Sequence, residues 1–363
     1  MGRSEKFLTD TEFNVNQLIS KIKNSSENLN DEEKKILEEI ISDFKNNDFS
    51  LLTPQEINWM EKNKSILWPK YLVYRYNFKN LPKKKELASV PLHLLIEPVS
   101  ACNLRCVMCF QIDETFSNNQ EYMGMMDLNL FKKIIDDAEG KVEFISLASR
   151  GEPFACKDIE KMLNYTNGKF LNLKINTNAS LVDEEMSYAI LESGVKTLVF
   201  SADAADSALY SKLRVNGKLE KIVTNIKKFQ EIRTKNYPNS KIITRVAGVK
   251  VNNQQNLDDM EKYWSDFVDQ VAFVNYVPWE NVYQSKYSGI QTPCSDLWRR
   301  MFVWWDGKVN PCDVDYKSKL LVGDIKNNNI LKLWKSDAYN KLRQQHESKL
   351  RKNASPCNRC VVI

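Results

Sequence analysis

The stretch that decides the fold is LHLLIEPVSACNLRCVMC, residues 92–109. Its first part, residues 92–98, is an apolar run of strand length. Three cysteines, Cys102, Cys106 and Cys109, follow it with the spacing Cys-x3-Cys-x2-Cys. Three thiolates on one short loop can bind three irons of a [4Fe–4S] cluster, which leaves the fourth iron for a small molecule with an amine and a carboxylate. A zinc site is the alternative, but zinc prefers four ligands, and no fourth Cys or His lies on the loop that follows this run.

Strand-like and helix-like segments alternate from this stretch towards the carboxyl end. The apolar strand-like runs lie at 92–98, 143–148, 171–176, 197–202, 241–247 and 270–276. Helical patterns lie between and after them, near 127–139, 157–166, 182–193, 206–214, 218–233 and 256–267. Repeated βα units predict an α/β fold with a parallel sheet or a barrel. Six units are fewer than the eight of a closed barrel.

Two other kinds of segment flank these units. The amino-terminal segment contains no cysteine and has helical patterns, including a capping box at Thr53-Pro54-Gln55-Glu56. Near the carboxyl end, Asp306-Gly307 predicts the turn of a β-hairpin, and a helix is expected near 329–346. We therefore predict a helical extension over 1–88, a core over 89–285, and a small domain of β-hairpin plus helix over 286–363.

The composition excludes several classes of protein. The net charge of +5 over 363 residues is too small to indicate nucleic-acid binding. No apolar run approaches the roughly 20 residues that span a membrane, and the polar start MGRSEKFLTD is unlike a signal peptide. We therefore expect a cytoplasmic protein without nucleic-acid or membrane partners, in which thiols stay reduced. Having only two histidines disfavours His-rich zinc hydrolases and Ser-His or Cys-His catalysis.

The cysteine triplet after the first strand resembles the signature of the radical S-adenosylmethionine (SAM) enzymes. The resemblance implies a partial (β/α)6 TIM barrel whose unique cluster iron, held with Cys102, Cys106 and Cys109, binds SAM. In that family one electron cleaves SAM to methionine and a 5′-deoxyadenosyl radical, which removes a hydrogen atom from a C–H bond. An external one-electron donor such as flavodoxin or ferredoxin is implied as a partner.

Short motifs on successive strands match the same family. Arg150-Gly151-Glu152-Pro153 resembles its Gly-Gly-Glu-Pro motif, with Arg150 in place of the first glycine. Asn176-Thr177-Asn178 and Ser201-Ala202-Asp203 resemble its motifs at the ends of the third and fourth strands. Each motif alone is weak, because Asn and Ser at strand ends are usually turn formers. The SAM-binding residues that the resemblance implies are Met108, Gly151, Glu152, Asn176, Ser201 and Arg214.

The carboxyl-terminal cysteines resemble the SPASM/twitch extension of this family, in which cysteines flank a hairpin and bind an auxiliary cluster. Four thiolates close a [4Fe–4S] site without a free iron, so the resemblance implies one auxiliary cluster and a twitch-type domain. A zinc ribbon of four cysteines is the alternative. The implied ligands of the second [4Fe–4S] cluster are Cys294, Cys312, Cys357 and Cys360.

Two further residues are candidate catalytic groups. Cys156 follows the Glu152-Pro153 turn and is either a small buried hydrophobe or a hydrogen-atom donor to a substrate radical. Asp313 is a candidate base, because relatives deprotonate a ketyl-like radical, and Asp315 is a second one. Turn formation is the alternative role for both aspartates.

The number of auxiliary cysteines bears on the class of substrate. A single auxiliary cluster favours a small-molecule substrate such as a sugar, nucleotide sugar or aminocyclitol, which an oxidoreductase or epimerase would alter at carbon. A maturase that modifies a ribosomally made peptide or protein is the alternative. A third class, a metalloprotein that uses its clusters only as scaffold or electron carrier, would not form 5′-deoxyadenosine.

Overall fold

The computed structural model describes residues 15–363, and the chain divides between Glu86 and Leu87 into two compact units. The polar start that argued against a signal peptide lies outside the described residues. Four helices make up the described part of the first unit: α1 Val15–Asn24, α2 Asp31–Lys45, α3 Pro54–Lys62 and α4 Trp68–Lys84. The predicted capping box at Thr53 is confirmed, because its hydroxyl caps α3 and Glu56 accepts the Thr53 N–H.

The second unit contains eleven strands among the described residues. They are β1 His93–Ile96, β2 Arg105–Cys106, β3 Phe144–Leu147, β4 Asn172–Thr177, β5 Val195–Ser201, β6 Arg214–Val215, β7 Ile243–Lys250, β8 Gln270–Asn275, β9 Arg300–Val303, β10 Lys308–Asn310 and β11 Gly323–Asp324. Its helices are α5 Glu114–Ser117, α6 Leu128–Ala138, α7 Ile159–Thr166, α8 Glu184–Glu192, α9 Ser207–Leu213, α10 Leu219–Asn236, α11 Leu257–Ser265, α12 Ile330–Trp334 and α13 Asp337–Glu347.

The main sheet has nine strands in the order β11-β10-β9-β1-β3-β4-β5-β7-β8. The six strands from β1 to β8 in this order run parallel and follow the six predicted runs. Because β8 and β11 are opposite edges, the sheet does not close on itself. The predicted α/β fold with a partial (β/α)6 barrel is confirmed.

The carboxyl-terminal hairpin extends this same sheet. Strand β9 pairs in parallel with β1, in the register His93↔Arg300 to Ile96↔Val303, and β10 returns antiparallel to β9. The predicted helix near 329–346 is two helices, because the Ser336 side chain caps a new helix at Asp337. Among residues 15–363, no helix has the length and apolar character needed to cross a bilayer.

The alternation of side chains along the strands separates the core from the site. Leu94, Ile96 and Leu147 belong to the core cluster of buried apolar residues that helices α6 and α7 also supply. The residues that alternate with them along the chain, such as Glu97 after Ile96 and Ser146 before Leu147, therefore point to the opposite face of the sheet. Polar side chains at the carboxyl ends of the parallel strands are thus brought to one edge, where enzymes of this architecture bind ligands.

Candidate active site

The three clustered cysteines lie on the loop that leaves β1. Strand β2 of this loop pairs antiparallel with β6, and Cys106 lies opposite Arg214. The Arg214 Nη1 donor lies 3.9 Å from the Cys106 Sγ atom. The predicted SAM-binding arginine is therefore held against the middle cysteine of the triplet by backbone pairing.

Burial dominates the electrostatics of this loop. It raises the pKa of Cys102 to about 11 and that of Cys109 to about 12, while iron ligation would remove the thiol protons outright. Burial disfavours the charge of Arg214, but Asp203 raises the pKa of this guanidinium above its ordinary value. The Arg214 Nε and Asp203 Oδ2 atoms are 2.7 Å apart, so the arginine stays charged beside Cys106.

An amide network holds the first cysteine. The Asn178 Nδ2 atom lies 3.8 Å from the Cys102 Sγ atom and donates a hydrogen bond of 2.9 Å to Asn103 Oδ1. Ser180 donates to Asn178 Oδ1 at 2.6 Å, which fixes the orientation of the amide. Donors of this kind to a cluster sulfur tune its reduction potential.

The Gly151-Glu152 turn packs its backbone against the start of the cysteine loop. The Glu152 N–H donates to the Ala101 carbonyl at 3.0 Å. The Glu152 side chain is 3% exposed and accepts hydrogen bonds of 2.7 Å from both Thr177 Oγ1 and the Asn178 N–H. Burial raises the pKa of Glu152, against the effect of these donors. Glu152 thus joins the turn to the end of β4.

We expect Gly151→Ala to disrupt this turn. An added Cβ would lie 2.2 Å from the Val99 carbonyl oxygen and 2.6 Å from that of Ala101. The backbone of the turn or of the cysteine loop would therefore have to move. Displacing catalytic geometry by about 1 Å costs on the order of 100-fold in rate, and we expect a loss of that size in SAM cleavage, measured as 5′-deoxyadenosine. Gly140→Ala is the control, because no atom lies within 4 Å of its added Cβ; its φ of +71° adds backbone strain that Gly151 does not have, so it is a demanding control for the clash. Equal activity of the two variants would contradict the close approach.

The remaining predicted SAM-binding residues lie at the same edge. Asn176 is half-buried at the end of β4, and its buried Oδ1 atom accepts no hydrogen bond within residues 15–363. Ser201 is half-buried at the end of β5, and Met108 is 7% exposed in the cysteine loop. Trp279 donates from its indole N–H to the Met108 carbonyl at 2.8 Å. An unsatisfied acceptor at the end of β4 and the close backbone approach at Gly151 fit a bound SAM.

The arginine that replaces a motif glycine does not point into this cradle. Arg150 is 3% exposed, and its Nε and Nη2 atoms lie 2.5 and 2.7 Å from the two carboxylate oxygens of Glu97. The sequence marked Arg150 as a departure from the motif, but its partner was not predicted. Glu97, a charged residue directly after an apolar strand, was the available signal.

The four carboxyl-terminal cysteines also interact with one another. Burial has the largest effect on their thiol pKa values, and neighbouring cysteines raise them further: Cys294 raises the pKa of Cys357, Cys360 raises that of Cys294, and both Cys357 and Cys294 raise that of Cys312. In a [4Fe–4S] cluster each thiolate binds a different iron, so the sulfurs need not converge on one point. Within residues 15–363, no group of three or more His, Cys, Asp or Glu side chains could hold a single metal ion.

A buried arginine that the sequence analysis missed organises this second site. Arg351 is 1% exposed and donates to the carbonyls of Cys357 at 2.9 Å and of Cys360 and Val362 at 2.8 Å. A fourth bond of 3.1 Å reaches the Thr292 carbonyl, two residues before Cys294. Arg351 therefore joins the backbone just before Cys294 to the loop that carries Cys357 and Cys360.

The candidate catalytic groups lie in different surroundings. Cys156 is 2% exposed within the main core, as its role as a small hydrophobe would require. Asp315 accepts hydrogen bonds from Tyr283 and from the Lys319 and Leu320 N–H groups, as turn formation predicts. Burial raises the pKa of Asp313 to about 6, with a further contribution from Asp296. The structure does not bring Cys156 and Asp313 together.

Two family models match this chain. The model of the radical SAM superfamily matches residues 96–263, and the chain belongs to that superfamily. The model of SPASM, an iron-sulfur cluster-binding domain, matches residues 294–361. The protein is therefore a radical SAM protein with a carboxyl-terminal SPASM domain, and its cofactors are SAM, a [4Fe–4S] cluster and an auxiliary cluster.

Two curated relatives match parts of the chain. The tungsten-containing aldehyde ferredoxin oxidoreductase cofactor-modifying protein of Pyrococcus furiosus is 35% identical over 118 residues, which are 32% of either chain. A cysteine-type anaerobic sulfatase-maturating enzyme of Clostridium perfringens is 29% identical over 116 residues, 28% of this chain and 30% of the relative. The chain thus spans about a third of these relatives.

Solved structures share the fold at low identity. Streptococcus suis SuiB bound to its precursor peptide SuiA superposes with a TM-score of 0.58 at 18% identity, over 76% of this chain and 72% of SuiB. BtrN in complex with AdoMet and 2-DOIA superposes with a TM-score of 0.52 at 17% identity, over 76% of this chain and 94% of BtrN. At these identities the similarity concerns the fold alone.

Proposed function

We propose that this protein is a radical SAM maturase, which removes a hydrogen atom from a residue of a peptide or protein. The observation that carries the proposal is the cysteine loop beside the Gly151-Glu152 cradle at the carboxyl ends of the parallel strands, combined with a second four-cysteine site. The relative from Clostridium perfringens matures a sulfatase, and SuiB is bound to a precursor peptide, which supports a peptide substrate.

In this proposal different residues bind the cluster, bind SAM and limit the access of water. Cys102, Cys106 and Cys109 hold the SAM-binding cluster, and the charged Arg214 beside Cys106 attracts the SAM carboxylate. Bound together and reduced, these cofactors supply a 5′-deoxyadenosyl radical. Asn176 and Ser201 hydrogen-bond the nucleoside, and their half-buried positions at the strand ends limit the access of water to the site.

The open side of the sheet supports a large substrate. Strand β8 is an edge of the main sheet, so within residues 15–363 no strand closes the barrel beside it. At its carboxyl end Val274 is 62% exposed and Asn275 is also exposed. A peptide that approaches this end of β8 can contact the backbone groups of the edge strand and the apolar side chain of Val274.

The saccharide or aminocyclitol substrate predicted from the sequence has less support. It rests on the presence of only four cysteines for an auxiliary site and on the length of the alignment with BtrN. The relatives that modify proteins, peptides or cofactors favour the maturase instead. An external one-electron donor is part of both proposals.

Product analysis separates the two substrates. The reconstituted full chain is incubated anaerobically with SAM and dithionite, together with a short peptide encoded beside its gene or with a panel of nucleotide sugars. We expect the peptide to increase the formation of 5′-deoxyadenosine at least about tenfold and to change in mass. Stimulation and conversion of a nucleotide sugar, with the peptide unchanged, would contradict the maturase but not the radical chemistry.

A further inference from the structure

Arg150 connects segments that lie far apart in the chain. Besides its paired bonds to Glu97 at the end of β1, it donates from Nη1 to the Tyr316 carbonyl at 2.9 Å. Its guanidinium lies 4.3 Å from the centre of the Trp304 ring. A residue of the SAM-binding turn thus contacts the backbone four residues after Cys312, the predicted auxiliary ligand.

The segment after Cys312 also contacts the other side of the cysteine loop. The Tyr316 hydroxyl donates to Asp113 Oδ2 at 2.8 Å, and Lys317 Nζ lies 2.5 Å from the same oxygen. The Tyr316 ring stacks on Phe110, directly after Cys109, with centroids 4.8 Å apart. Tyr316 therefore contacts the loop of the SAM-binding cysteines and the turn that carries Gly151.

The backbone at Arg150 is fixed and carries strain. Gln111 donates from Nε2 to the carbonyls of Arg150 at 2.5 Å and Ser100 at 2.7 Å. Ser149, the preceding residue, has φ +116°, a region that favours glycine. Such a conformation persists only where surrounding contacts impose it, and the bonds of Arg150 are those contacts.

We propose that Arg150 is a positioning residue that couples the auxiliary site to SAM binding. Its bond to the Tyr316 carbonyl makes the geometry of the Gly151-Glu152 turn depend on the segment that begins at Cys312. Loss of the auxiliary cluster should then weaken SAM binding through Arg150. The coupling concerns the cofactor alone and holds whatever the substrate is.

A double-mutant cycle tests this coupling. Cys357→Ala removes a predicted ligand of the auxiliary cluster without substituting any residue of the segment after Cys312, so this segment can respond only to the loss of the cluster. Arg150→Lys keeps the buried charge opposite Glu97 but lacks the donors to span Glu97 and the Tyr316 carbonyl together. The dissociation constant of SAM and the SAM-induced shift in the electron paramagnetic resonance (EPR) signal of the reduced SAM-binding cluster are measured for all four proteins.

We expect Cys357→Ala to weaken SAM binding at least fivefold when Arg150 is present and less than twofold in the Arg150→Lys background, a coupling of ordinary size. The EPR shift should change in Cys357→Ala and not change further in the double variant. The proposal would be overturned if Cys357→Ala weakened SAM binding by the same factor in both backgrounds, or if it left SAM binding unchanged.

Two further variants keep the test decisive. If Arg150→Lys does not fold, the neutral pair Glu97→Gln with Arg150→Gln replaces it, because no unpaired charge is then buried. Arg233→Lys is the matched control, since this arginine pairs with Asp269 at 3.0 Å and also bonds Gln230 and Thr244, which all lie outside the segment after Cys312. We expect the factor caused by Cys357→Ala to be unchanged in the Arg233→Lys background.

Discussion

Cys106→Ala should reduce SAM-dependent formation of 5′-deoxyadenosine to background, a loss of at least about a thousandfold, because groups that act as one unit fail together. Cys106 lies in the middle of the triplet, opposite Arg214 in the β2–β6 pair. Removing its thiolate leaves one iron of the SAM-binding cluster without a protein ligand. Iron content, the EPR signal after reduction and the product measured by chromatography report this loss.

Cys156→Ala is the matched control for this substitution. Its thiol is 2% exposed in the main core, and Cys156 belongs to neither predicted set of cluster ligands. We expect a cost of about 1 kcal/mol in the free energy of unfolding, as for other small deletions in a core, and unchanged formation of 5′-deoxyadenosine. A Cys106→Ala variant that still cleaves SAM at the wild-type rate would show that the triplet does not hold the catalytic cluster.

Arg351→Met should destroy the auxiliary site and lower the free energy of unfolding by about 3 kcal/mol or more, because a hydrogen bond that involves a charged group contributes about 1.5–3 kcal/mol. Four carbonyls around the cysteines would lose the donor that joins them. Each buried acceptor that is left without a donor destabilises the folded protein by its full desolvation free energy. Iron analysis should show the loss of about four irons per chain, and chemical denaturation gives the change in stability.

Lys352→Met is the control for Arg351→Met. Lys352 is the adjacent residue and its side chain is exposed, so the same new side chain is placed in solvent. We expect a change within about 0.5 kcal/mol, as at other surface positions, and a full complement of iron. Loss of the auxiliary cluster in both variants would mean that the tail is merely intolerant of substitution.

The core of the fold was predictable because its strands are short apolar runs between helical patterns. Runs such as 143–148 and 270–276 are bounded by polar residues, and the structure has β3 and β8 there. The pairing of β9 with β1 was not predictable, since it depends on contacts between residues more than 200 positions apart. The break before Asp337 was missed because a single capping serine ends one apolar helix and starts the next.

The site was predictable to the extent that its motifs follow a known family order on successive strands. That order identified Gly151, Asn176 and Arg214, which the structure brings to one edge of the sheet with the cysteine loop. Partners across the fold were not predicted: Glu97 after an apolar strand signals a buried charge but does not identify Arg150 as its partner, and no motif pairs Arg351 with four carbonyls. The substrate depends on the shape of the open side, which no short motif encodes.

EPR spectroscopy of the anaerobically reconstituted full chain tests the central claim most directly. The account predicts about eight irons per chain and, after reduction, a low-temperature signal of a [4Fe–4S] cluster that shifts when SAM is added. Cys106→Ala should lose the signal that responds to SAM and retain that of the auxiliary cluster. A protein that contains only zinc, or a cluster signal that SAM leaves unchanged, would contradict the account.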